Sequence, residues 1–334
     1  MMRDSSNVSS LATPRQDSCI GSNPQMPSSP ARPIAYAAVI FILGLAFIRP
    51  LGELISYARQ TDLYSYVLLI PFISAYLIFI QRGQLPKDYA TSPGWALLLL
   101  LCGLLTLIAA QLFLKLEPPI TRNDYLSLTV LSFICSLATG GFVFLGRKWM
   151  AAAAFPLGFL LFMVPLPDCV LHFLETASQL ASTEAAAMFF FLTGTPMLRD
   201  GTIFQLPGIA IQVAQECSGI RSSLVLFITT VAASFLFLKR PCRRAILIAF
   251  VIPLAIVRNG FRIWVIGVLC VELGPHMIDS AIHHQGGPIF FALSLIPLFL
   301  LLWWLRRGEA VKADPQISPI NRAFRKGSKS ASAG

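Results

Sequence analysis

The sequence predicts an all-α polytopic membrane protein with about eight transmembrane helices. Of its 334 residues, 55% are hydrophobic and only 13% are charged, and the mean hydropathy is +0.69. These values lie far outside the balance of a soluble globular domain. The apolar residues also form long runs, and the basic residues cluster in the short loops between them. Together these observations indicate a chain that crosses a bilayer several times.

A helix needs roughly 20 mostly apolar residues to cross about 30 Å of hydrocarbon. Segments that meet this condition lie before and after a long segment, about 168–217, which is predicted to be external. The predicted spans are approximately 34–51, 64–80, 93–113, 125–145, 150–167, 218–238, 245–269 and 288–305.

The basic clusters predict the orientation, because cytoplasmic loops carry an excess of Lys and Arg. A cytoplasmic N-terminus and eight spans put every dense cluster on the cytoplasmic side, and the C-terminus as well. The net charge of +10 comes from these clusters and not from one basic face, so nucleic acid is not an expected partner. The clusters are Arg82 with Lys87, Arg147 with Lys148, Lys239 to Arg244, and Arg306 with Arg307.

The two ends of the chain have a different composition from its centre. Residues 1–32 are rich in Ser, Pro and Asn and contain no apolar core, so a disordered cytoplasmic tail without a signal peptide is expected. Residues 33–307 form the predicted transmembrane domain, and 308–334 a basic cytoplasmic tail.

The external segment 168–217 is expected to fold outside the hydrocarbon. Residues 170–192 have apolar positions at helical spacing, which predicts a small helix lying in the interface. Residues 202–214 alternate apolar and polar residues around Pro207-Gly208, which predicts a short β-hairpin. This hairpin leads directly to Cys217.

The rise of the helices predicts that several residues with reactive or charged side chains lie at the same depth in the membrane. At about 1.5 Å per residue, Arg262 lies about 27 Å above the preceding basic cluster, and Cys217 about 33 Å above the cluster that follows it. Both positions are near the outer interface. His283 and His284 lie in the external loop before the last span, at the same level.

Cys217 precedes a predicted helix, where unpaired backbone N–H groups and the helix dipole favour a thiolate. Arg221, one turn on, would add to this effect. An isolated membrane cysteine is more often a packing residue, and the seven cysteines show no paired spacing that would indicate disulfides or a metal site.

Arg258 and Arg262 stand four residues apart, so they share one helix face. Snorkelling to lipid phosphates is the structural alternative for Arg258, which can reach water past Asn259. Arg262 is followed by an apolar run, so it needs a partner or a polar cavity. The alternative for His283 and His284 is that they are ordinary loop residues without a catalytic function. Metalloprotease and nucleotide motifs are missing from the sequence, so no cofactor or metal is expected.

Three ordered blocks resemble the exosortase/archaeosortase family of membrane cysteine transpeptidases. ECSGIRSS (216–223) is similar to the family's Cys-Ser-Gly block, NGFRI (259–263) to its Asn-x-x-Arg-Ile block, and IHHQGG (282–287) to its His block. The segment DLYSYVLLIPFISAYLI (62–78) resembles the second-span motif, with Tyr66 where a histidine is common.

The resemblance implies a catalytic trio of Cys217, Arg262 and His283. Attack by the Cys217 thiolate would form a thioester, and the acid and oxyanion roles of Arg262 and His283 stay exchangeable. The candidate supporting residues are His284, Arg258, Glu216, Ser218, Arg221 and Asn259.

The resemblance also implies the partners and the location. Family members recognise exported proteins that end in a short signal motif, a transmembrane helix and a basic tail. They act at the outer face of the bacterial inner membrane, among its lipids, alongside exopolysaccharide export. The alternative hypotheses are that the protein is a transporter or flippase for an anionic substrate, or a purely hydrolytic membrane cysteine protease.

Overall fold

A computed structural model describes residues 31–86, 88–117, 119–214, 219–274, 276–277 and 287–313. The greater part of both predicted tails, residues 1–30 and 314–334, lies outside these ranges. Among the described residues the chain is almost entirely helical, with one small sheet. The all-α polytopic fold is therefore confirmed.

The helices follow the order of the predicted spans, with short additional pieces between them. The first part of the chain contains α1 (Ala31–Ala46), α2 (Ile48–Gln60), a 3-10 helix (Asp62–Leu69), α3 (Ile70–Gln81), α4 (Pro93–Phe113) and α5 (Arg122–Phe144). The central part contains α6 (Gly146–Ala152), α7 (Ala154–Phe159), a 3-10 turn (Leu160–Met163) and α8 (Asp168–Leu192). The last part contains α9 (Ile220–Phe237), α10 (Pro241–Leu273) and α11 (Gly287–Ala313).

Six helices in the described ranges are long and apolar enough to cross a membrane, and two bent helix pairs raise the number to as many as eight. The bent pairs involve the predicted first and fifth spans. The first bends by 69° between α1 and α2, close to Pro50, which cannot donate a backbone hydrogen bond. The second bent pair joins Ala154–Met163 to α8 at an angle of 87°, where Pro165 and Pro167 exclude a continuous helix. It therefore combines part of the predicted fifth span, 150–167, with the helix predicted to lie outside the membrane, and 150–167 is not a span of its own.

The segment 168–217, predicted to lie outside the membrane, contains a helix and a hairpin in the predicted order, with one further strand. The strands β1 (Leu198–Asp200), β2 (Ile203–Leu206) and β3 (Ile209–Gln212) form an antiparallel sheet in the order β1-β2-β3. The turn Pro207-Gly208 joins β2 to β3, as predicted. The expectation of a hairpin alone was wrong, because β1 is too short to show an alternating pattern.

The sheet and α8 pack against the C-terminal half of α10. Phe204 and Ile211 of the sheet are buried with Phe190 of α8 and Ile263 of α10. Glycines bring the two helices together: a Cβ built on Gly260 would lie 2.5 Å from the Cβ of Ala185. At 33 residues α10 is about 50 Å long, so it exceeds the thickness of the hydrocarbon.

Buried polar side chains at the start of α5 hold the bend before α8. The Asn123 side-chain amide donates to the Leu166 carbonyl at 2.6 Å and to an Asp168 carboxylate oxygen at 2.7 Å. The Ser127 hydroxyl donates to the Pro165 carbonyl at 2.8 Å. These bonds satisfy backbone groups that the prolines leave without helical partners.

Candidate active site

A cavity of about 650 Å³ lies where five segments of the chain meet. These segments are the 3-10 helix after α2, the N-terminal half of α8, the first turn of α9, the middle of α10 and the start of α11. Among the described residues, its lining includes the charged side chains of Glu175, Arg221 and Arg262. Gly219 and Gly287 also line it, and each is the first described residue after a stretch of chain that the structure does not describe.

The first turn of α9 forms one wall of the cavity. The helix begins at Ile220, and the residue before it, Gly219, has a left-handed backbone with φ of +71°. Residues with a side chain rarely adopt this conformation. The N–H groups of a first helical turn have no acceptor within the helix, which makes this end of a helix electropositive.

Asn259 of α10 packs directly against this turn. Its side chain is 3% exposed, and a Cβ built on Gly219 would lie 2.8 Å from its Oδ1 atom. Glycine is therefore needed at position 219 both for its backbone conformation and for the close approach of α10.

Arg258 of α10 also binds the first turn of α9. Its Nη2 atom donates to Ser222 Oγ at 2.7 Å and to Ser223 Oγ at 3.1 Å, and lies 3.4 Å from the Gly219 carbonyl oxygen. The side chain is only 7% exposed. The snorkelling alternative for Arg258 is thus wrong, since its guanidinium is directed to protein oxygens.

Arg262, one helical turn further on, faces the cavity. It is half-buried, and it also lines a smaller cavity beside Ile211 and Val213 of the sheet region. This placement agrees with the expectation that Arg262 needs a polar cavity. Arg258 and Arg262 thus have different surroundings although they are four residues apart on α10: Arg258 binds the first turn of α9, and Arg262 lines the cavity.

Several predicted site residues lie outside the described ranges. They are Glu216, Cys217, Ser218, His283 and His284. Of the described ones, Arg221 is exposed and lines the cavity, and Asn259 and Arg258 contact the first turn of α9. The described residues of the predicted site thus all lie at the first turn of α9 or in the cavity beside it.

Sequence reasoning missed three residues here. Glu175 belongs to the predicted interfacial helix, and nothing in its local pattern distinguishes it from a solvated polar position. Ser222 and Ser223 stand in the ECSGIRSS block, but only their contact with Arg258 reveals their role. In the described ranges, no cluster of three or more His, Cys, Asp or Glu side chains is arranged to hold a metal ion.

Comparison with known proteins gives one match. The family model for transmembrane exosortases covers residues 58–300, which is more than two thirds of the chain. No curated protein and no solved structure matches significantly. The matched range includes every segment that lines the 650 Å³ cavity. This chain belongs to the transmembrane exosortase family.

Proposed function

We propose that this exosortase is a cysteine transpeptidase whose reaction takes place in the 650 Å³ cavity. The observation that carries the proposal is the position of Arg262, which lines a cavity bounded at Gly219 and Gly287. These two glycines connect directly to the segments that contain Cys217 and the histidine pair.

Covalent geometry limits how far the reactive residues can lie from two glycines that line the cavity. Two residues along a chain separate Cα atoms by at most about 7 Å, and four residues by at most about 14 Å. Cys217 is two residues from Gly219, and His283 is four residues from Gly287. We infer from these limits that both side chains act in the cavity.

The first half-reaction cleaves the substrate. The Cys217 thiolate attacks the carbonyl carbon of the scissile peptide bond, and the electron pair of the C=O bond moves to the oxygen. Arg262 donates hydrogen bonds to this oxyanion, an interaction that gains strength where water is scarce. Collapse of the intermediate breaks the C–N bond, and His283 gives a proton to the leaving amine. The product is a thioester on Cys217.

The second half-reaction transfers the cleaved protein. His283, now neutral, takes a proton from the acceptor nucleophile, which attacks the thioester carbonyl. The C–S bond breaks and the thiolate returns. His284 is the alternative base, and the acid and oxyanion roles of Arg262 and the histidine stay exchangeable. Because a guanidinium group is a poor proton donor to a leaving amine, the oxyanion role suits Arg262 better.

The resemblance to exosortases implies the substrate class, and a site at the membrane surface would suit it. A protein anchored by one C-terminal transmembrane helix presents the residues before that helix at the membrane surface. We infer that the partner is the C-terminal signal of an exported protein: a short motif, an apolar helix and a basic tail. The site then faces the periplasm, and the enzyme resides in the bacterial inner membrane.

Replacement of Cys217 tests the proposal. We expect Cys217→Ala to abolish processing of a reporter that carries the C-terminal signal of a protein encoded beside this gene. Cys242→Ala, which changes an exposed cysteine in a basic cluster, should process the reporter normally. Processing by the Cys217→Ala variant would contradict the proposal, and failure of the wild type to process the reporter would favour a transporter or flippase.

Mass spectrometry of the new C-terminus separates transfer from hydrolysis. An added acceptor group supports the transpeptidase, whereas a free carboxylate supports a membrane cysteine protease. Both results are compatible with a thioester intermediate. This measurement therefore tests only whether an acceptor group or water reacts with that intermediate.

A further inference from the structure

A second large cavity, the apolar cavity, has a volume of about 600 Å³ and is lined by side chains of α8, α9 and α10. Both α8 and α9 pack against α10. The chain at the bend before α8 adds further lining, including Phe162 and Val164. The apolar cavity is nearly as large as the 650 Å³ cavity, and the reaction proposed above does not use it.

The lining of the apolar cavity explains its name. Among the described residues that line it, only Tyr66, Ser178 and Ser223 have a polar side-chain atom, and none is charged. The Ser223 hydroxyl donates to the Gly219 carbonyl at 2.8 Å, within its own helical turn. A polar ligand would lose its hydration here and gain few partners in return. The apolar cavity therefore fits an apolar ligand.

The apolar cavity adjoins the 650 Å³ cavity at the first turn of α9. Ile220 lines both of them. Ser222 lines the 650 Å³ cavity and Ser223 lines the apolar cavity, and Ser65 and Tyr66 are divided in the same way. One ligand can therefore occupy both cavities, with a polar part in the first and an apolar part in the second.

The apolar cavity extends along two helices away from the 650 Å³ cavity. On α9 its lining runs from Ile220 to Ile228, a rise of about 12 Å. On α10 it runs from Ile256 back to Val251, whereas Arg262 lies beyond Ile256 and lines the 650 Å³ cavity. Both helices are long and apolar enough to cross a membrane. A path that starts at the first turn of α9 and follows these helices thus leads into the hydrocarbon.

The proposed substrate has the same order of polar and apolar parts. Its short motif is followed directly by an apolar helix, so the bond to be cleaved lies only a few residues before the start of that helix. When the motif lies beside Arg262, the helix begins close to the first turn of α9. A length of about 12 Å corresponds to about eight residues, or roughly two helical turns. The apolar cavity therefore matches the first turns of the substrate helix.

Small side chains on two walls favour a helix over a lipid chain as the occupant. Ala177 and Ala181 stand four residues apart on one face of α8, and Ala255 lies on α10. Interfaces between membrane helices are enriched in small residues, because these let two backbones approach closely. A flexible acyl chain has no such requirement.

We propose that the apolar cavity binds the first turns of the transmembrane helix of the substrate while the motif before it lies in the 650 Å³ cavity. This inference rests on the proposed function, since it takes the substrate to be an exported protein with a C-terminal signal. It adds the surface that holds the part of the substrate released by cleavage. Because this surface is separate from the reacting atoms, substrate binding and the chemical step can be measured apart.

Photo-crosslinking in the full-length enzyme identifies the occupant. p-Benzoylphenylalanine replaces Phe227, which lines the apolar cavity, or, as the control, Phe41 of α1, whose side chain is 68% exposed. Both variants also carry Cys217→Ala, so that the signal-bearing reporter stays intact during irradiation in lipid vesicles. We expect the probe at position 227 to label the first turns of the reporter helix, with a higher yield than the probe at position 41. Labelling of lipid alone at position 227, or equal reporter yields at both positions, would overturn the proposal.

Filling the apolar cavity should weaken substrate binding and leave the chemical step unchanged. Ala181→Trp places an indole in the apolar cavity, and Leu180→Trp, on an exposed face of the same helix, is the matched control. We expect Ala181→Trp to raise the KM for the reporter about tenfold with kcat nearly unchanged, because loss of uniform binding raises KM alone. Leu180→Trp should leave both constants at their wild-type values. A wild-type KM in Ala181→Trp would be incompatible with the proposal.

A second reporter tests whether the effect comes from direct contact. It carries alanine in place of the bulky residues in the first turns of its helix, which leaves room for the indole. The ratio of KM between Ala181→Trp and the wild type should be smaller for this reporter than for the first one. Equal ratios would contradict contact between position 181 and the substrate helix. If Ala181→Trp does not fold, Ala181→Leu with the same two reporters and the crosslinking result decide the matter.

Processing of the reporter separates this inference from the proposed function. If the wild type processes the reporter and Cys217→Ala does not, labelling of lipid alone at position 227 overturns the docking of the helix, and the proposed function stands. Processing by Cys217→Ala overturns the proposed reaction, and the label at position 227 still decides where the helix binds.

Discussion

Gly219 and Asn259 pack so closely that a Cβ on the glycine would lie 2.8 Å from the asparagine Oδ1 atom. Forty residues of sequence separate them, and each belongs to a different block of the family resemblance. Their contact joins the first turn of α9 to the face of α10 that carries Arg258 and Arg262. The geometry of the candidate site therefore depends on this approach.

We predict that Gly219→Ala lowers both stability and activity. The left-handed backbone costs about 1–2 kcal/mol for a residue with a Cβ, and the new methyl group also displaces Asn259. Thermal unfolding and reporter cleavage measure the two effects. Gly208→Ala is the matched control, because Gly208 has φ of +83° and nothing within 4 Å of its built Cβ. Similar losses of cleavage in both variants would contradict a specific role for the Gly219–Asn259 contact.

Glu175 is predicted to oppose thiolate formation, because its carboxylate lines the cavity with Arg221 and Arg262. A nearby negative charge raises the pKa of a thiol. Glu175→Gln should therefore lower the pKa of Cys217, and the acidic limb of the pH–rate profile should move to lower pH. Glu117→Gln, in the exposed loop after α4, should leave the profile in place. A shift to higher pH in Glu175→Gln would be incompatible with this arrangement.

Orientation can be measured with single cysteines in a chain whose native cysteines are replaced by alanine. We expect Asp200→Cys, on the exposed strand β1, to react with a membrane-impermeant maleimide in intact spheroplasts. Cys242, restored alone beside the basic cluster of α10, should react only after lysis. The reverse pattern would place the cavity on the cytoplasmic side and exclude a periplasmic reaction.

Docking of α8 onto α10 should be sensitive to a single methyl group. In Gly260→Ala the new Cβ would lie 2.5 Å from Ala185 Cβ and 2.9 Å from the backbone nitrogen of Ala186. Such overpacking typically costs about 1–3 kcal/mol, so the unfolding temperature and the cleavage rate should both fall. Gly44→Ala in α1, where nothing lies within 4 Å, should be neutral or slightly stabilising. Equal stability of the two variants would contradict tight helix packing at Gly260.

Hydrophobic runs and basic clusters were sufficient to predict the fold class and the order of the helices. They did not predict the bend at Phe47, since α1 and α2 together are apolar enough to read as one span. Strand β1 was missed because it exists only through pairing with β2.

The site was predicted only in part, because local sequence patterns do not show contacts between distant segments. Helical spacing put Arg258 and Arg262 on one face, and the need for a polar environment indicated a cavity at Arg262. The serine hydroxyls that bind Arg258 belong to another helix, so their role depends on tertiary packing. Glu175 likewise reaches the cavity only through the bend that precedes α8.

The central claim is a thioester between Cys217 and the cleaved protein. Its most direct test is intact mass spectrometry of the enzyme, quenched in acid during reporter turnover, before and after treatment with neutral hydroxylamine. The account predicts an adduct with the mass of the N-terminal product, located on the Cys217 peptide and released by hydroxylamine. An adduct on another residue, or turnover at the wild-type rate by Cys217→Ala, would contradict it.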